Sequence, residues 1–202
     1  MKILLVFLYM TNMKMKKYSH LFFDLDNTLW DFNQNSLLAL KEVYEKYLLG
    51  KYFDSFSTFL SFYEEKNKDL WNLYAKNLVS KETLSIERFS YPLSQVGVLN
   101  LSLAKEMSED FLNMASQKTK LLPYTIEILE YLKGENYQIH IISNGFLSVQ
   151  NRKIKNSHLS KYIKNIYLSE LIGYHKPHKK IFEYAIKSSN AKKKESIMIG
   201  DN

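Results

Sequence analysis

Two aspartates two residues apart are the first candidates for chemistry in this sequence. Asp24 and Asp26 close a short apolar run that begins at His20 and is typical of a strand buried on both faces of a sheet. Residues two apart in an extended segment point to the same side, so the two carboxylates would converge. Converging like charges destabilise a fold unless a cation or proton compensates them. The pair predicts a site for acid–base chemistry or cation binding, although a polar turn or helix cap would also fit.

Three further segments place polar groups at the predicted ends of strands or beside them. Ser143-Asn144-Gly145 can offer a hydroxyl and backbone amides to an anion, or can form an ordinary Asn-Gly turn. Lys176-Pro177 places a cation just before a helix, and Gly200-Asp201 adds a carboxylate after the last strand. Ligands of α/β proteins bind at the carboxyl ends of the strands. We therefore expect these groups to meet Asp24 and Asp26 at one rim.

The elements that must position these groups alternate along most of the chain. Strands are predicted at 20–26, 137–142, 165–168 and 196–199, with helices at about 124–133, 147–156 and 178–189. This alternation predicts an α/β fold with a doubly wound parallel (Rossmann-like) sheet. Between 33 and 115 apolar residues recur only at helical spacing, in four stretches. That segment is predicted to be an all-α insertion.

Composition and charge exclude several classes of protein. Hydrophobic residues make up 46% and charged residues 24%, which is typical of a globular domain, and the absence of cysteine excludes disulfides and thiolate sites. The net charge is 28 − 21 = +7, but only two basic residues are arginine, which disfavours binding of a nucleic-acid polymer. The apolar run near the N-terminus is too short to span a bilayer. We expect a cytoplasmic protein without membrane attachment, and residues 1–16 to be a mis-assigned leader.

Four segments resemble, in order, the motifs of the haloacid dehalogenase (HAD) superfamily. They are 23–29 (FDLDNTL), 142–145 (ISNG), 175–182 (HKPHKKIF) and 199–202 (IGDN). The resemblance covers about 17–202 and implies an α/β core of 17–32 and 116–202 with an inserted helical cap of 33–115. Within the superfamily, 24–32 and 176–182 are similar to pyrimidine 5′-nucleotidases. The resemblance thus implies a nucleoside 5′-monophosphate phosphatase acting on a small phosphomonoester.

The resemblance also implies a role for each matching residue. Asp24 would be the carboxylate nucleophile that forms an aspartyl-phosphate, and Asp26 would protonate the leaving oxygen and then activate water. Four residues would bind or neutralise the phosphoryl group: Thr28, Ser143, Asn144 through its backbone amide, and Lys176, which would also neutralise the nucleophile. Mg²⁺ would be held by the Asp24 carboxylate, the Asp26 backbone carbonyl and Asp201.

Two alternatives to an active phosphatase follow from the same motifs. Haloacid dehalogenases need the nucleophile but lack the second aspartate, because a halide leaves without a proton, so Asp26 disfavours a 2-haloacid dehalogenase. In the superfamily the fourth motif continues to a second acidic residue and a further strand and helix, whereas this chain ends at Asn202. We therefore expect C-terminal truncation. A truncated chain could be an inactive fragment that binds only phosphate or a partner, and its strand at 196–199 would be an edge that favours self-association.

The many aromatic residues of 33–115 suggest two uses. They could form a stacking platform for a nucleobase, but at helical spacing they are more often the core of the cap, and we favour the core. Trp30 and Phe32 lie just beyond the first motif and are better placed to meet substrate.

Overall fold

A parallel four-stranded sheet lies at the centre of the molecule, which we describe from a computed structural model of residues 17–201. Its strands are β1 (His20–Phe23), β2 (Gln138–Ser143), β3 (Asn165–Leu168) and β4 (Ser196–Ile199), in the order β3-β2-β1-β4. Every neighbouring pair is parallel. The chain steps outward from β1 to β3 and then returns to the far side of β1, which opens a crevice beyond the carboxyl end of β1. The predicted doubly wound α/β fold is confirmed, and the predicted leader at 1–16 lies outside the described residues.

Eight α-helices accompany the sheet within residues 17–201. They are α1 (Phe32–Lys46), α2 (Phe56–Ala75), α3 (Lys81–Gln95), α4 (Leu101–Gln117), α5 (Thr125–Gly134), α6 (Leu147–Asn156), α7 (Ser169–Ile172) and α8 (Lys179–Ser188). In this part of the chain, no helix combines the length and apolar character needed to cross a membrane.

The boundaries differ from the predicted ones mainly around the first motif. β1 ends at Phe23 and a turn follows at 27–29, whereas the apolar pattern suggested a strand to Asp26. α1 begins at Phe32, just before the predicted helical segment, because the Asp31 side chain accepts a hydrogen bond from the backbone N–H of Gln34 at 3.1 Å and caps the helix. The short helix α7 was not predicted.

The first four helices share an apolar cluster of their own. Its largest members are fully buried, and they include the side chains of Phe59, Phe89, Leu93 and Met107. Serine or asparagine side chains cap the starts of α2, α3 and α4, and no named strand lies between α1 and α4. The all-α character of this segment, which we call the cap, is therefore confirmed. Its boundaries at 33 and 115 stay a prediction.

A buried histidine of β2 packs against side chains of the neighbouring strands. The His140 ring is fully buried, stacks on Phe22 with ring centroids 4.8 Å apart, and shares a 3.1 Å hydrogen bond with the His20 ring. Its other ring nitrogen is 3.2 Å from the amide nitrogen of Asn165. Burial, with repulsion from His20 and Lys164, lowers the pKa of His140 to about 4. The folded protein therefore holds this ring neutral.

We expect acidification to destabilise the fold before most carboxyl groups titrate. The unfolded chain binds a proton at His140 near pH 6.5, whereas the folded chain does so only near pH 4, so stability is lost as pH falls from 6.5 towards 4. The loss reaches up to about 3 kcal/mol of unfolding free energy. Urea unfolding at pH 7.5 and pH 5 measures it.

His140→Phe should flatten this pH dependence. His158→Asn is the matched control, because His158 is exposed and asparagine tolerates its left-handed backbone (φ 56°). A His140→Phe protein as acid-sensitive as the wild type would contradict the assignment.

Candidate active site

A compact turn after β1 brings Asp24 and Asp26 to the rim of the sheet. The backbone N–H of Asp24 donates to the carbonyl of Ile199 at 2.9 Å, which extends the pairing of β1 with β4 by one residue. The turn is closed by a hydrogen bond from the N–H of Trp30 to the carbonyl of Leu25, also 2.9 Å long. Asn27 adopts a left-handed backbone (φ 54°) there, which asparagine tolerates better than most residues. Both aspartates line one cavity as a result.

Asp24 is a half-buried carboxylate held from two sides. Its Oδ2 atom lies 2.6 Å from the Nζ of Lys176, and its Oδ1 accepts a 2.7 Å hydrogen bond from the N–H of Leu25. Burial raises the pKa of Asp24, and Asp26 adds to this, while Lys176 opposes it. The net rise shows that one lysine does not fully offset the cost of burying this charge.

The side chain of Asn144 fixes the segment that carries Lys176. Its amide nitrogen donates to the Lys176 carbonyl at 3.0 Å, and its amide oxygen accepts from the Lys176 N–H at 2.7 Å. Two bonds to one residue fix both the position and the orientation of that backbone. The sequence had suggested only the backbone amide of Asn144 as a functional group, so this positioning role was missed.

Asp26 is held by two residues of α6 that sequence reasoning missed. Lys153 Nζ lies 2.7 Å from Oδ1 of Asp26, and the Gln150 amide donates to Oδ2 at 2.7 Å. Lys153 is almost fully buried, with its ammonium 4.1 Å from the centre of the Trp30 ring. Gln150 and Lys153 are three residues apart, so they share one helix face. The sequence feature that could have revealed these two residues is a polar pair at helical spacing just after Ser143-Asn144-Gly145.

The hydroxyl of Ser143 has one hydrogen-bonding capacity that is not used. Its oxygen accepts from the N–H of Gly145 at 3.1 Å and from the Gln150 amide at 2.7 Å. A hydroxyl has two acceptor lone pairs and one donor hydrogen, so only the donor hydrogen remains. Ser143 lines the cavity, and its hydrogen is therefore available to an anion bound there.

Gly145 makes this arrangement sterically possible. A Cβ atom at position 145 would lie 2.3 Å from Nε2 of Gln150, whose amide is fixed by Asp26 and Ser143. We expect Gly145→Ala to displace that amide, to cost about 1–3 kcal/mol of stability, and to lower kcat by about 10- to 100-fold. Chemical denaturation and steady-state kinetics measure the two effects.

Gly134→Ala is the matched control for this substitution. A Cβ atom at Gly134 meets no heavy atom of residues 17–201 within 4 Å, so this variant should keep wild-type activity. Adding Gln150→Ala to Gly145→Ala should recover stability, because the clashing amide is removed. A double variant that shows simple additivity would argue against the clash.

Two predicted site residues are not brought into the cavity. The Thr28 side chain is buried, its hydroxyl has no hydrogen-bond partner within residues 17–201, and it is not among the cavity-lining residues there. The role of this hydroxyl in binding a phosphate oxygen stays a prediction. Asp201 is exposed and follows the cavity-lining Gly200, two residues after the Ile199 carbonyl that accepts from Asp24.

The cavity has a volume of about 590 Å³ and is lined from both the sheet and the cap. The catalytic candidates lie on the sheet side, and Trp30 and Phe32 also line it, as predicted. Most of the aromatic side chains of the cap form its core, as predicted, but three line the cavity: Tyr63, Trp71 and Phe111.

Several contacts join the two sides of the cavity, among them one ion pair and one pair of stacked rings. Glu170 lies 2.7 Å from the Nζ of Lys81 in the cap and accepts a 2.6 Å hydrogen bond from the N–H of Leu147. Trp71 of the cap stacks on Phe146, with ring centroids 5.4 Å apart. These contacts close the cap over Asp24.

The donor atoms at the rim suit a hard cation. Within residues 17–201 no three side chains of histidine, aspartate or glutamate lie close enough together to hold a metal ion by themselves. Mg²⁺ does not need such a cluster, because it binds one or two carboxylates, retains waters and takes oxygens from substrate. Asp24 fits this requirement: its buried charge is not fully offset by Lys176.

Comparisons with known proteins agree on one family. A family model described as haloacid dehalogenase-like hydrolase matches residues 21–202. The pyrimidine 5′-nucleotidase YjjG of Escherichia coli is 31% identical over 186 residues, 92% of this chain and 78% of that protein. The glyceraldehyde 3-phosphate phosphatase of Pyrococcus furiosus is 28% identical over 187 residues, 93% of this chain and 74% of that protein.

Solved structures agree on the fold. The magnesium-bound HAD-hydrolase YfnB of Bacillus subtilis superposes with a TM-score of 0.83 at 23% identity, covering 93% of this chain and 81% of that one. A parallel α/β sheet with its carboxylates at the rim of a capped cavity is the architecture of a HAD-type enzyme. The chain belongs to the haloacid dehalogenase-like hydrolase family, as its motifs had indicated.

Proposed function

We propose that this hydrolase is a Mg²⁺-dependent phosphatase that acts on nucleoside 5′-monophosphates through an aspartyl-phosphate. The observation that carries the proposal is the arrangement of Asp24 and Asp26. They line one cavity from a single turn, and each is held by a different lysine. Two carboxylates with separate partners can take the separate tasks of nucleophile and proton carrier.

The reaction proceeds in two steps. An oxygen of Asp24 attacks phosphorus, the bond from phosphorus to the ester oxygen breaks, and Asp26 gives that oxygen a proton. Water then attacks the phosphorus of the aspartyl-phosphate and gives a proton to Asp26, and inorganic phosphate leaves as the Asp24 carboxylate is restored. Lys153 and Gln150 keep Asp26 in place through both steps.

Charge on the transferring group is stabilised by donors already in position. Lys176 reaches Asp24 and can also reach an oxygen of the phosphoryl group attached there, and Ser143 has only its donor hydrogen free. The backbone amide of Asn144 is the third donor in this proposal. Because the Asn144 side chain holds the backbone of Lys176, these donors keep fixed relative positions.

Mg²⁺ would be held by the Asp24 carboxylate, the Asp26 backbone carbonyl and Asp201. When bound, it supplies positive charge beside the nucleophile and the phosphoryl oxygens. The related YfnB structure, described as magnesium-bound, supports this choice of metal.

The size and walls of the cavity support a nucleotide as substrate. Its volume of about 590 Å³ is in the range of pockets that enclose whole drug-sized molecules, and aromatic rings line the part that the cap supplies. The relative YjjG is named a pyrimidine 5′-nucleotidase, whereas the Pyrococcus relative is named for a much smaller phosphate ester.

A substrate panel tests the proposal. We expect the highest kcat/KM for pyrimidine nucleoside 5′-monophosphates, lower values for ribose 5-phosphate and glyceraldehyde 3-phosphate, and loss of phosphate release in EDTA. Chloride release from 2-chloropropionate would instead identify a dehalogenase. A folded chain that releases neither phosphate nor chloride would be the inactive fragment, and the proposal would fail.

A further inference from the structure

The cap contains a buried arginine without a counter-ion. Arg88 of α3 is 2% exposed and lines the cavity, and its Nε and Nη2 atoms have no hydrogen-bond partner in the part of the chain that the structure describes. No carboxylate within residues 17–201 forms an ion pair with it. Its contacts are the Phe111 ring, 4.8 Å from the guanidinium carbon, the Phe89 ring at 5.6 Å, and the hydroxyl of Tyr63.

This arrangement costs stability in the substrate-free protein. Arginine stays protonated at any physiological pH, and a buried charge without a partner carries a penalty of several kcal/mol. Contacts with two aromatic rings return about 0.5–2 kcal/mol, which offsets only part of that penalty. Lys153 and Lys176 line the same cavity, but each is paired with an aspartate. Arg88 therefore has donors left for a ligand.

A second unpartnered group lies in the same cavity. The Oδ1 atom of Asn67 on α2 is buried and accepts no hydrogen bond from any described residue. Tyr63, Asn67 and Trp71 follow one another at four-residue spacing, and all three line the cavity. α2 therefore presents one amide between two aromatic rings, and the neighbouring α3 supplies the guanidinium.

We propose that Arg88 and Asn67 bind the polar edge of the leaving group, with Arg88 donating to a carbonyl oxygen and Asn67 accepting from an adjacent N–H. A pyrimidine base that carries a carbonyl next to a ring N–H, as uracil does, presents both groups on one edge. Its flat ring suits the aromatic walls formed by Trp71 and Phe146. The inference rests on the proposed function and names the residues that select its substrate.

A carboxylate on the leaving group is the other source of an acceptor oxygen. It would satisfy Arg88 but would offer no hydrogen to Asn67, whose buried oxygen would stay unpaired at a cost of about 1–3 kcal/mol. The pair of residues together therefore favours the base.

Kinetics of Arg88→Met test the inference. We expect KM for uridine 5′-monophosphate to rise about 10- to 100-fold, because hydrogen bonds to a charged group are lost, with little change in kcat. Phenyl phosphate has a ring but no acceptor, so its kcat/KM should stay within about threefold. Arg152→Met is the matched control: the other arginine of the chain bonds to Asn113, is not among the cavity-lining residues in the described part of the chain, and should leave both substrates unaffected.

Thermal unfolding separates recognition from a structural role. Without ligand, Arg88→Met should melt at or above the wild-type temperature, because an unpaired buried charge is removed. A lower melting temperature, or equal losses on both substrates, would overturn the inference. If Arg88→Met raises KM more for 3-phosphoglycerate than for uridine 5′-monophosphate, Arg88 binds a carboxylate rather than a base.

Calorimetric binding of uridine, which has no phosphate, distinguishes the two proposals. Binding of uridine that is lost in both Arg88→Met and Asn67→Leu, by a chain that hydrolyses no ester, would support this inference and refute the proposed function. If Arg88→Met hydrolyses the nucleotide with an unchanged KM, the proposed function would be supported and this inference would be refuted. Wild-type protein that binds no uridine overturns the inference.

Discussion

Asp24→Asn is expected to lower phosphate release from a nucleoside monophosphate by about ten thousand-fold or more, because an amide cannot act as the nucleophile. The variant should still fold. Asparagine keeps the shape of the side chain and an amide oxygen that can accept a hydrogen bond from the Lys176 ammonium, so the substitution is expected to be tolerated. Kinetics with uridine 5′-monophosphate and circular dichroism measure the two outcomes.

Asp54→Asn is the matched control for this variant. Asp54 is an exposed carboxylate between α1 and α2, so the substitution removes the same charge away from the cavity and should keep full activity. Wild-type protein quenched during turnover should carry the mass of one phosphoryl group, and Asp24→Asn should not. Retention of activity in Asp24→Asn would exclude the aspartyl-phosphate mechanism.

Asp26→Asn should change the rate in a way that depends on the leaving group. With uridine 5′-monophosphate, kcat should fall about 10²- to 10⁴-fold, because the ribose oxygen leaves poorly without a proton. With p-nitrophenyl phosphate the first step needs no proton, so one equivalent of nitrophenolate should appear rapidly. Slow turnover should follow, since no base activates water for the second step. Stopped-flow absorbance measures the burst.

The burst is the diagnostic result for Asp26. A residue that only supports the fold would slow both substrates alike and produce no burst. If Asp26→Asn slows nitrophenolate release as much as nucleotide hydrolysis, Asp26 does not carry the proton. Asp54→Asn serves again as the control and should behave as the wild type with both substrates.

Much of the fold could be predicted from local sequence patterns. The ranges of α6, β3 and β4 agree with their predicted ranges, because short apolar runs and amphipathic spacing are properties of a few neighbouring residues. The boundaries around the first motif were less accurate. There, the turn at 27–29 and the helix cap at Asp31 depend on hydrogen bonds that a hydrophobicity pattern does not reveal.

The candidate site was also predicted only in part. Asp24, Asp26, Ser143 and Lys176 line one cavity, as expected for polar groups at and near the strand ends. Thr28 does not, because the turn that presents the aspartates buries its side chain.

The residues that sequence reasoning missed contact positions that are far away along the chain, and a local sequence pattern does not reveal such contacts. Gln150 and Lys153 meet Asp26 from more than 120 positions away, and the importance of Arg88 depends on what is absent around it. Its being one of only two arginines was the available signal.

The contacts of Glu170 and Trp71 have a consequence for the rate of turnover. The cavity is lined by both cap and sheet, so a separation of the two would break the Lys81–Glu170 ion pair and the stacking of Trp71 on Phe146, together with the ring contacts of Tyr74 with Phe146 and His175. The ion pair is partly exposed and contributes at most about 1 kcal/mol, and the ring contact contributes about 0.5–1.5 kcal/mol. Leu70 and Leu84 of the cap also pack against Phe146 in one buried apolar cluster, so opening of the cavity would break many small contacts together.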